Sequence, residues 1–456
     1  MQKMKRVFTL LLAVAMLVTL FAACGQEKAQ ETTAAQTTAS GQEPTQATSA
    51  APEPVTIDFW HIFPDGDPYK AYFTGLVDEF EKQNSYITVK ELGVSFWDYW
   101  GKVTTAVAAG TPPDVYLNGI ADVPTRAKAG TALKMDDFIA KYGFNTGEIY
   151  PAALEACKYN GGIYAMPFDM DVRFLYYNKA HFKDAGLDPE KPPVTWDEVE
   201  QYADKLTKLK GNVIEQAGFV PPYSTSVGNF NYITLAWTFG ADLIKDGKPV
   251  VNTPEAKEAL EWNKKMMDKY GRKSMMGFIT ANGAGNDKDP FIQGKVSMYV
   301  TNEGLYAQIK QYNPSLDFGT ALLPYKKVQT SFSSGFSLEI GDNKDAGRAD
   351  AAWKLISYFM SKDVQKSFNI NVGWSMCNSA AMSDPEITAN PVWKTVGEQM
   401  KTSKMVEFVE ACPRWGDLIN PEALAYIDGT KKSADEALAS AQKAIEDTIA
   451  TYGEQK

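Results

Sequence analysis

The densest run of chemically capable side chains is Asp169-Met170-Asp171-Val172-Arg173. In an extended segment, alternate residues share a face, so Asp169, Asp171 and Arg173 could together grip the hydroxyl groups of a ligand. The alternative is an internal ion pair. Paired carboxylates also raise glycoside hydrolysis, where the two groups must flank the scissile bond across about 5–9.5 Å. Two aspartates at i and i+2 on one strand cannot place themselves on opposite sides of a bond. No phosphate-cradling GxxxxGK[ST], HExxH, GxSxG or EF-hand pattern occurs either. The reading is therefore of a protein that binds and does no covalent chemistry.

Composition narrows the partners. The 456 residues carry a formal net charge of −10, with no polybasic run beyond the first few positions, so a phosphate-tracking nucleic-acid binder is disfavoured. Only two histidines are present, His61 and His181, which speaks against histidine-based metal sites and triads; no metal or cofactor is expected. The cysteines are Cys24, Cys157, Cys377 and Cys412, without a CxxC pair. The last three allow at most one disulfide, Cys377 with Cys412 being the nearer pair in sequence, and buried free thiols are the other reading. Aromatic residues reach 12%, including 10 Trp and 22 Tyr, enough to furnish a cleft with flat side chains.

Further candidates are polar and aromatic residues at strand ends, where open α/β sheets place ligands. Trp60 and His61 follow the first strand, with a loop seal as the bland reading. Asn118 follows the strand Asp114–Leu117. Asn302, Glu303 and Gly304 follow the strand Lys295–Val300. The run Ser333-Ser334-Gly335-Phe336 offers backbone amides, with Gly335 permitting close approach. Trp374 and the pair Arg414-Trp415 fall in late loops, each a lid on a ligand or a plug on a core. Trp97 and Trp100, at i and i+3 of a helix, are expected to put one ring into the core.

The elements that must position these residues alternate. Val55–Trp60 and Ile87–Leu92 read as strands, and Tyr69, Tyr72, Phe73, Leu76, Val77 and Phe80 recur at helical spacing between them. Thr195 with Glu198 and Ser433 with Glu436 make capping boxes, and Thr253-Pro254-Glu255 starts another helix. Such alternation over a chain this long implies an α/β protein with parallel sheets and two lobes. No repeat of 20–50 residues is visible.

Ahead of this body the composition changes. Lys3, Lys5 and Arg6 precede an apolar run, Val7–Ala23, which ends in Phe21-Ala22-Ala23-Cys24-Gly25. This resembles a bacterial lipoprotein signal (residues 1–23), with Phe21 departing from the usual Leu, and the resemblance implies lipidation of Cys24 and attachment to the extracytoplasmic face of a membrane. Residues 26–54 are almost wholly Gln, Glu, Thr, Ala, Ser and Pro, too polar to offset their ordering entropy, so 24–54 reads as a disordered tether of about 30 Å.

Across residues 55–450 the chain resembles the extracellular solute-binding proteins of family 1, the carbohydrate receptors of ATP-driven importers. The matching patterns are Phe59-Trp60, Gly110-Thr111-Pro112-Pro113-Asp114-Val115, Tyr164-Ala165-Met166-Pro167-Phe168-Asp169, and Leu175-Tyr176-Tyr177-Asn178-Lys179. Thr195-Trp196-Asp197-Glu198, Thr253-Pro254-Glu255-Ala256, Gly294-Lys295-Val296-Ser297-Met298 and Ser433–Ala444 follow in order. The resemblance implies a two-lobed periplasmic-binding-protein-like fold of type II, each lobe a mainly parallel sheet flanked by helices. Lobe one would be 55–168 plus 319–367, and lobe two 169–318 plus 368–456, with a hinged cleft between. Asp169–Arg173 then falls at a lobe crossing, and one aromatic of Asn229–Trp237 (Phe230, Tyr232 or Trp237) is expected to face the cleft.

The implied function is a monomeric receptor that captures a sugar or oligosaccharide and delivers it to a membrane permease. Sugars present hydroxyl edges and C–H faces, which suit a mixture of Asp, Asn, Glu and Arg with Trp and Tyr. Two other readings are a binding protein for a glycerol phosphodiester or polyol, and a surface glycan-degrading lipoprotein. A phosphate would want several converging cations, and only Arg173 and Arg414 stand near the candidate strand ends.

Overall fold

The computed structural model describes residues 52–223, 230–282 and 285–454. The signal, Cys24, most of the tether and Asn229 lie outside the described residues. In chain order the strands that frame the molecule begin with β1 (Val55–His61), β2 (Ile87–Gly93), β3 (Val115–Gly119) and β4 (Met166–Pro167). After a short β5 (Asp171–Val172) come β6 (Phe174–Asn178), β7 (Lys208–Lys210), β8 (Val213–Phe219), β9 (Val296–Thr301) and β10 (Phe318–Ala321). The chain returns through β11 (Ser331–Ser334) and β12 (Phe336–Ile340), and later adds β13 (Ser403–Lys404).

These strands make two five-stranded sheets, β2-β1-β3-β12-β4 and β10-β6-β9-β8-β7. In β1 the alternation seen in sequence sends Ile57, Phe59 and His61 inward. Every residue of β6 is buried, as a strand covered on both faces requires. The helix Lys70–Gln83 packs Phe73, Val77 and Phe80 onto the first sheet, and Trp196–Leu206 opens with the anticipated capping box, both bonds of it formed.

The expectation of mainly parallel sheets needs correction. β1 pairs in parallel with β2 and β3, but β12 runs antiparallel to both its neighbours. In the second sheet only β8 and β9 pair in parallel, while β6 is antiparallel to β9 and β10. The cause is connectivity: a strand that enters a sheet from the other lobe approaches from the crossing side and runs against the strands it joins.

The lobe limits also shift. β10 pairs with β6, so residues 318–321 belong to the second sheet, and the return falls at β11 and β12 instead of at 319. Beyond 367, Phe368 packs on Phe63 and Phe73 and Asn378 bonds Glu148, which ties this stretch to lobe one. The chain rejoins lobe two with the helix Pro391–Met400, whose Thr395 hydroxyl bonds that of Thr320. Cys157, Cys377 and Cys412 are free and buried.

Candidate functional site

Three stretches of chain run side by side where the lobes join: β5 pairs antiparallel with β11, and β11 pairs in parallel with β13. Gly335 sits between β11 and β12, where a Cβ would stand 2.2 Å from the carbonyl oxygen of Asp169. Only a glycine lets the two crossing backbones approach this closely.

The acidic residues converge here. Asp171 Oδ1 accepts from Arg173 Nη1 at 2.7 Å and from the Ser334 amide and hydroxyl, each at 2.8 Å. Its Oδ2 accepts from Asn302 Nδ2 at 3.1 Å. Burial works against its charge, but Arg173 and these donors outweigh it and hold the carboxyl below the usual carboxylate range. Asp169 accepts from the Phe336 amide at 2.8 Å; burial, with the charges of Asp171 and Glu303 added, pushes its carboxyl well above that range. Glu303 is 7% exposed and its Oε2 has no hydrogen-bond partner. Burial, then the Asp171 charge, pushes it up to about 7, and the nearby Ser375 hydroxyl and Arg173 only partly offset this.

Beside this polar floor runs a band of rings. The helix Phe96–Ala108 commits Tyr99 and Val103 to the core. Successive residues on a helix point about 100° apart, so Trp97 is turned away from that stripe, while Phe96 lies on it but at the first position of the helix, where it stays exposed. Trp97 is 85% exposed. Phe96 meets Trp97 edge-on at 5.1 Å, Trp100 stacks on Phe336 at 5.5 Å, and Phe336 meets Trp374 at 5.8 Å. The band thus leads from the crossing, where Phe336 follows Gly335, out along lobe one. Asn118, half-buried at the end of β3, pairs in register with Ser337 beside it. Towards the other edge of the crossing a cavity of about 590 Å³ is lined by Ala121, Pro124, Tyr159, Met405 and Phe408, among others.

The structure brings together Asp169, Asp171, Arg173, Asn302, Glu303 and Gly335, with Trp374 and Asn118 adjoining. It sets other candidates apart. His61 lies in the lobe-one core, 4.4 Å from the Phe73 ring, and burial lowers it to about 3. Trp60 is half-buried under Lys102. Trp237 is 6% exposed and stacks on Phe332, whose ring also carries the Arg173 guanidinium. Trp415 is fully buried, its indole N–H donating to the Glu407 carbonyl. Arg414 makes an exposed pair with Asp417. Phe96, Phe332 and Ser375 escaped sequence reasoning, and Trp97 was weighed only as one half of a pair expected to hold a core residue. The signal for Trp97 was its place about 200° around the helix from Tyr99, off the core-facing stripe; Phe96 shares that stripe by spacing and carried no such signal.

A family model described as bacterial extracellular solute-binding protein matches residues 75–395. A binding protein of Brucella abortus (strain 2308) is 28% identical over 309 residues, 67% of this chain and 72% of its own. The sn-glycerol-3-phosphate-binding periplasmic protein of Escherichia coli (strain K12) is 25% identical over 311 residues, 65% of this chain and 67% of its own. Among solved structures, CpMnBP1 with mannotriose bound is 29% identical, with a TM-score of 0.70 over 86% of this chain and 100% of its own. The sugar-binding protein MalE of Xanthomonas citri shares the fold with a TM-score of 0.74 at 21% identity, over 87% of this chain and 98% of its own.

Proposed function

Because this chain belongs to the family of bacterial extracellular solute-binding proteins, we propose that its cleft captures a neutral saccharide, and that an oligosaccharide fits it best. The chain is the solute-binding component of an ATP-driven importer and not an enzyme. The observation that carries the saccharide reading is the juxtaposition of an exposed aromatic band with a hydrogen-bonding floor. The rings of Trp97, Phe96 and Trp100 suit the C–H faces of sugar rings, and the carboxylates suit their hydroxyls. The mannotriose held by a solved structure 29% identical to this chain supports the same class.

Glycerol 3-phosphate, bound by the Escherichia coli relative, is the second reading. It is less favoured because the one guanidinium at the crossing, Arg173, is already paired with the charged Asp171, and a dianionic phosphate there would meet that carboxylate without several converging cations to hold it. Titration of tryptophan fluorescence with mannobiose, mannotriose, maltose and glycerol 3-phosphate separates the two. Trp97→Ala should weaken saccharide binding about tenfold, the scale of one lost ring contact, while changing stability by less than about 0.5 kcal/mol. A response to glycerol 3-phosphate alone would overturn the saccharide reading.

The permease is the proposed partner, the monomer the proposed state, and a lipid on Cys24 the proposed anchor. The last is supported by the basic, apolar and small-residue order of residues 1–25.

A further inference from the structure

Among the charged side chains at the crossing, most are already committed. A carboxylate offers roughly four acceptor positions, and Asp171 receives donors from Arg173, Ser334 (amide and hydroxyl) and Asn302. Asp169 is held by the Phe336 amide, and Arg173 is bonded to Asp171 and laid on the Phe332 ring. Glu303 stands out. It is more than nine-tenths buried and its Oε2 accepts nothing, the enclosed Ser375 hydroxyl beside the carboxyl being the group placed to donate to it. An unpaired buried acceptor is costly, and at a crossing lined by candidate solute contacts an arriving donor would relieve that cost.

We propose that Glu303 is the acceptor through which the solute is recognised, and that its carboxyl releases a proton to solvent when a solute hydroxyl donates to it. The inference rests on the saccharide reading above, since a solute without hydroxyl donors could not do this. The hydroxyl keeps its own proton and supplies only a hydrogen bond; the carboxyl proton goes to water. Release is the expected direction because Glu303 is already enclosed by protein. An arriving solute removes little further water from it and chiefly adds a donor, which favours the charged form. The groups facing it agree. The Asp171 charge on the crossing strand raises its affinity for a proton and Arg173 lowers it, while Asp169, itself held protonated by burial and by the Asp171 and Glu303 charges, and the Tyr176 phenol on β6 stay neutral beside it. Burial and the Asp171 charge push the carboxyl up to about 7, so the exchange falls across neutrality.

Calorimetric titration with mannotriose at pH 5.5, 6.5 and 7.5, in buffers of different ionisation enthalpy, tests this. The wild type should bind roughly tenfold more tightly at pH 7.5 than at 5.5 and release about half a proton, most of it near pH 6.5. Glu303→Gln, neutral and of the same shape, should match the wild type at pH 5.5, lack the gain at 7.5 and release no proton. A wild-type affinity that is flat with pH, or a variant that keeps the dependence, overturns the proposal. If mannotriose does not bind the wild type at all, the saccharide reading has failed instead. Glu303 is then judged on the free proteins: a potentiometric difference of about one proton near pH 7 between wild type and variant supports it, and no difference overturns it.

Discussion

At the scale of single residues, the two histidine and tryptophan positions that sequence treats alike part company in the fold. His61 occupies a site enclosed by Phe59, Phe63 and Phe73, where its Nδ1 accepts from the Phe63 amide and its Nε2 has no partner among the described residues. Lowered to about 3, it stays neutral in the native state over the working range. The unfolded chain takes up a proton below the ordinary histidine value of about 6.5 and the folded chain does not, so stability is lost as pH falls through that value. His61→Gln should remove this component. Between pH 7.5 and 5 the wild type should lose about 2 kcal/mol more than the variant in urea unfolding, at ~1.4 kcal/mol per pH unit below 6.5. By sequence the first strand ends at Trp60 with His61 after it, which draws His61 into the candidate site; the strand in fact runs through His61 and turns it inward. Alternation says which face a residue takes, not how far along the sheet the core extends.

Elements show where local rules suffice and where they stop. Gly335→Ala would drive a methyl against the Asp169 carbonyl, backbone against backbone, and should cost about 3 kcal/mol or more in urea unfolding. Gly75→Ala is the control: in the exposed middle of Lys70–Gln83, with open space at the Cβ position, it should stabilise by about 0.5–1 kcal/mol. The capping residues Thr195 and Thr253 and the period of Phe73, Val77 and Phe80 were legible because each depends on a few neighbours in sequence. The polarity of β12 and the true partner of β10 were not, because both are set by a crossing between lobes that leaves no local trace. The acidic cluster was legible in part. Asp169, Asp171 and Arg173 share one run, but Glu303 and Ser375 meet it only through the third dimension.

For the molecule as a whole, the charge, the two lobes and the binding role followed from composition and motif order. The tether and its proposed lipid belong to this scale. One acyl-bearing residue followed by a polar linker should keep the chain with membranes, so Cys24→Ala should move it to the soluble fraction, measured by ultracentrifugation of lysed cells; an unchanged partition would remove the anchor from the account.

The interleaving of the lobes also bears on how the chain can be made. β3 is covered on one side by β1 and on the other by β12, which spans residues 336–340 of 456. Any product truncated ahead of β12 would leave β3 as a raw edge of apolar residues, open to pairing with other incomplete chains. Premature termination should thus yield aggregates rather than a smaller working lobe, and a functional fragment cannot be cut from either half.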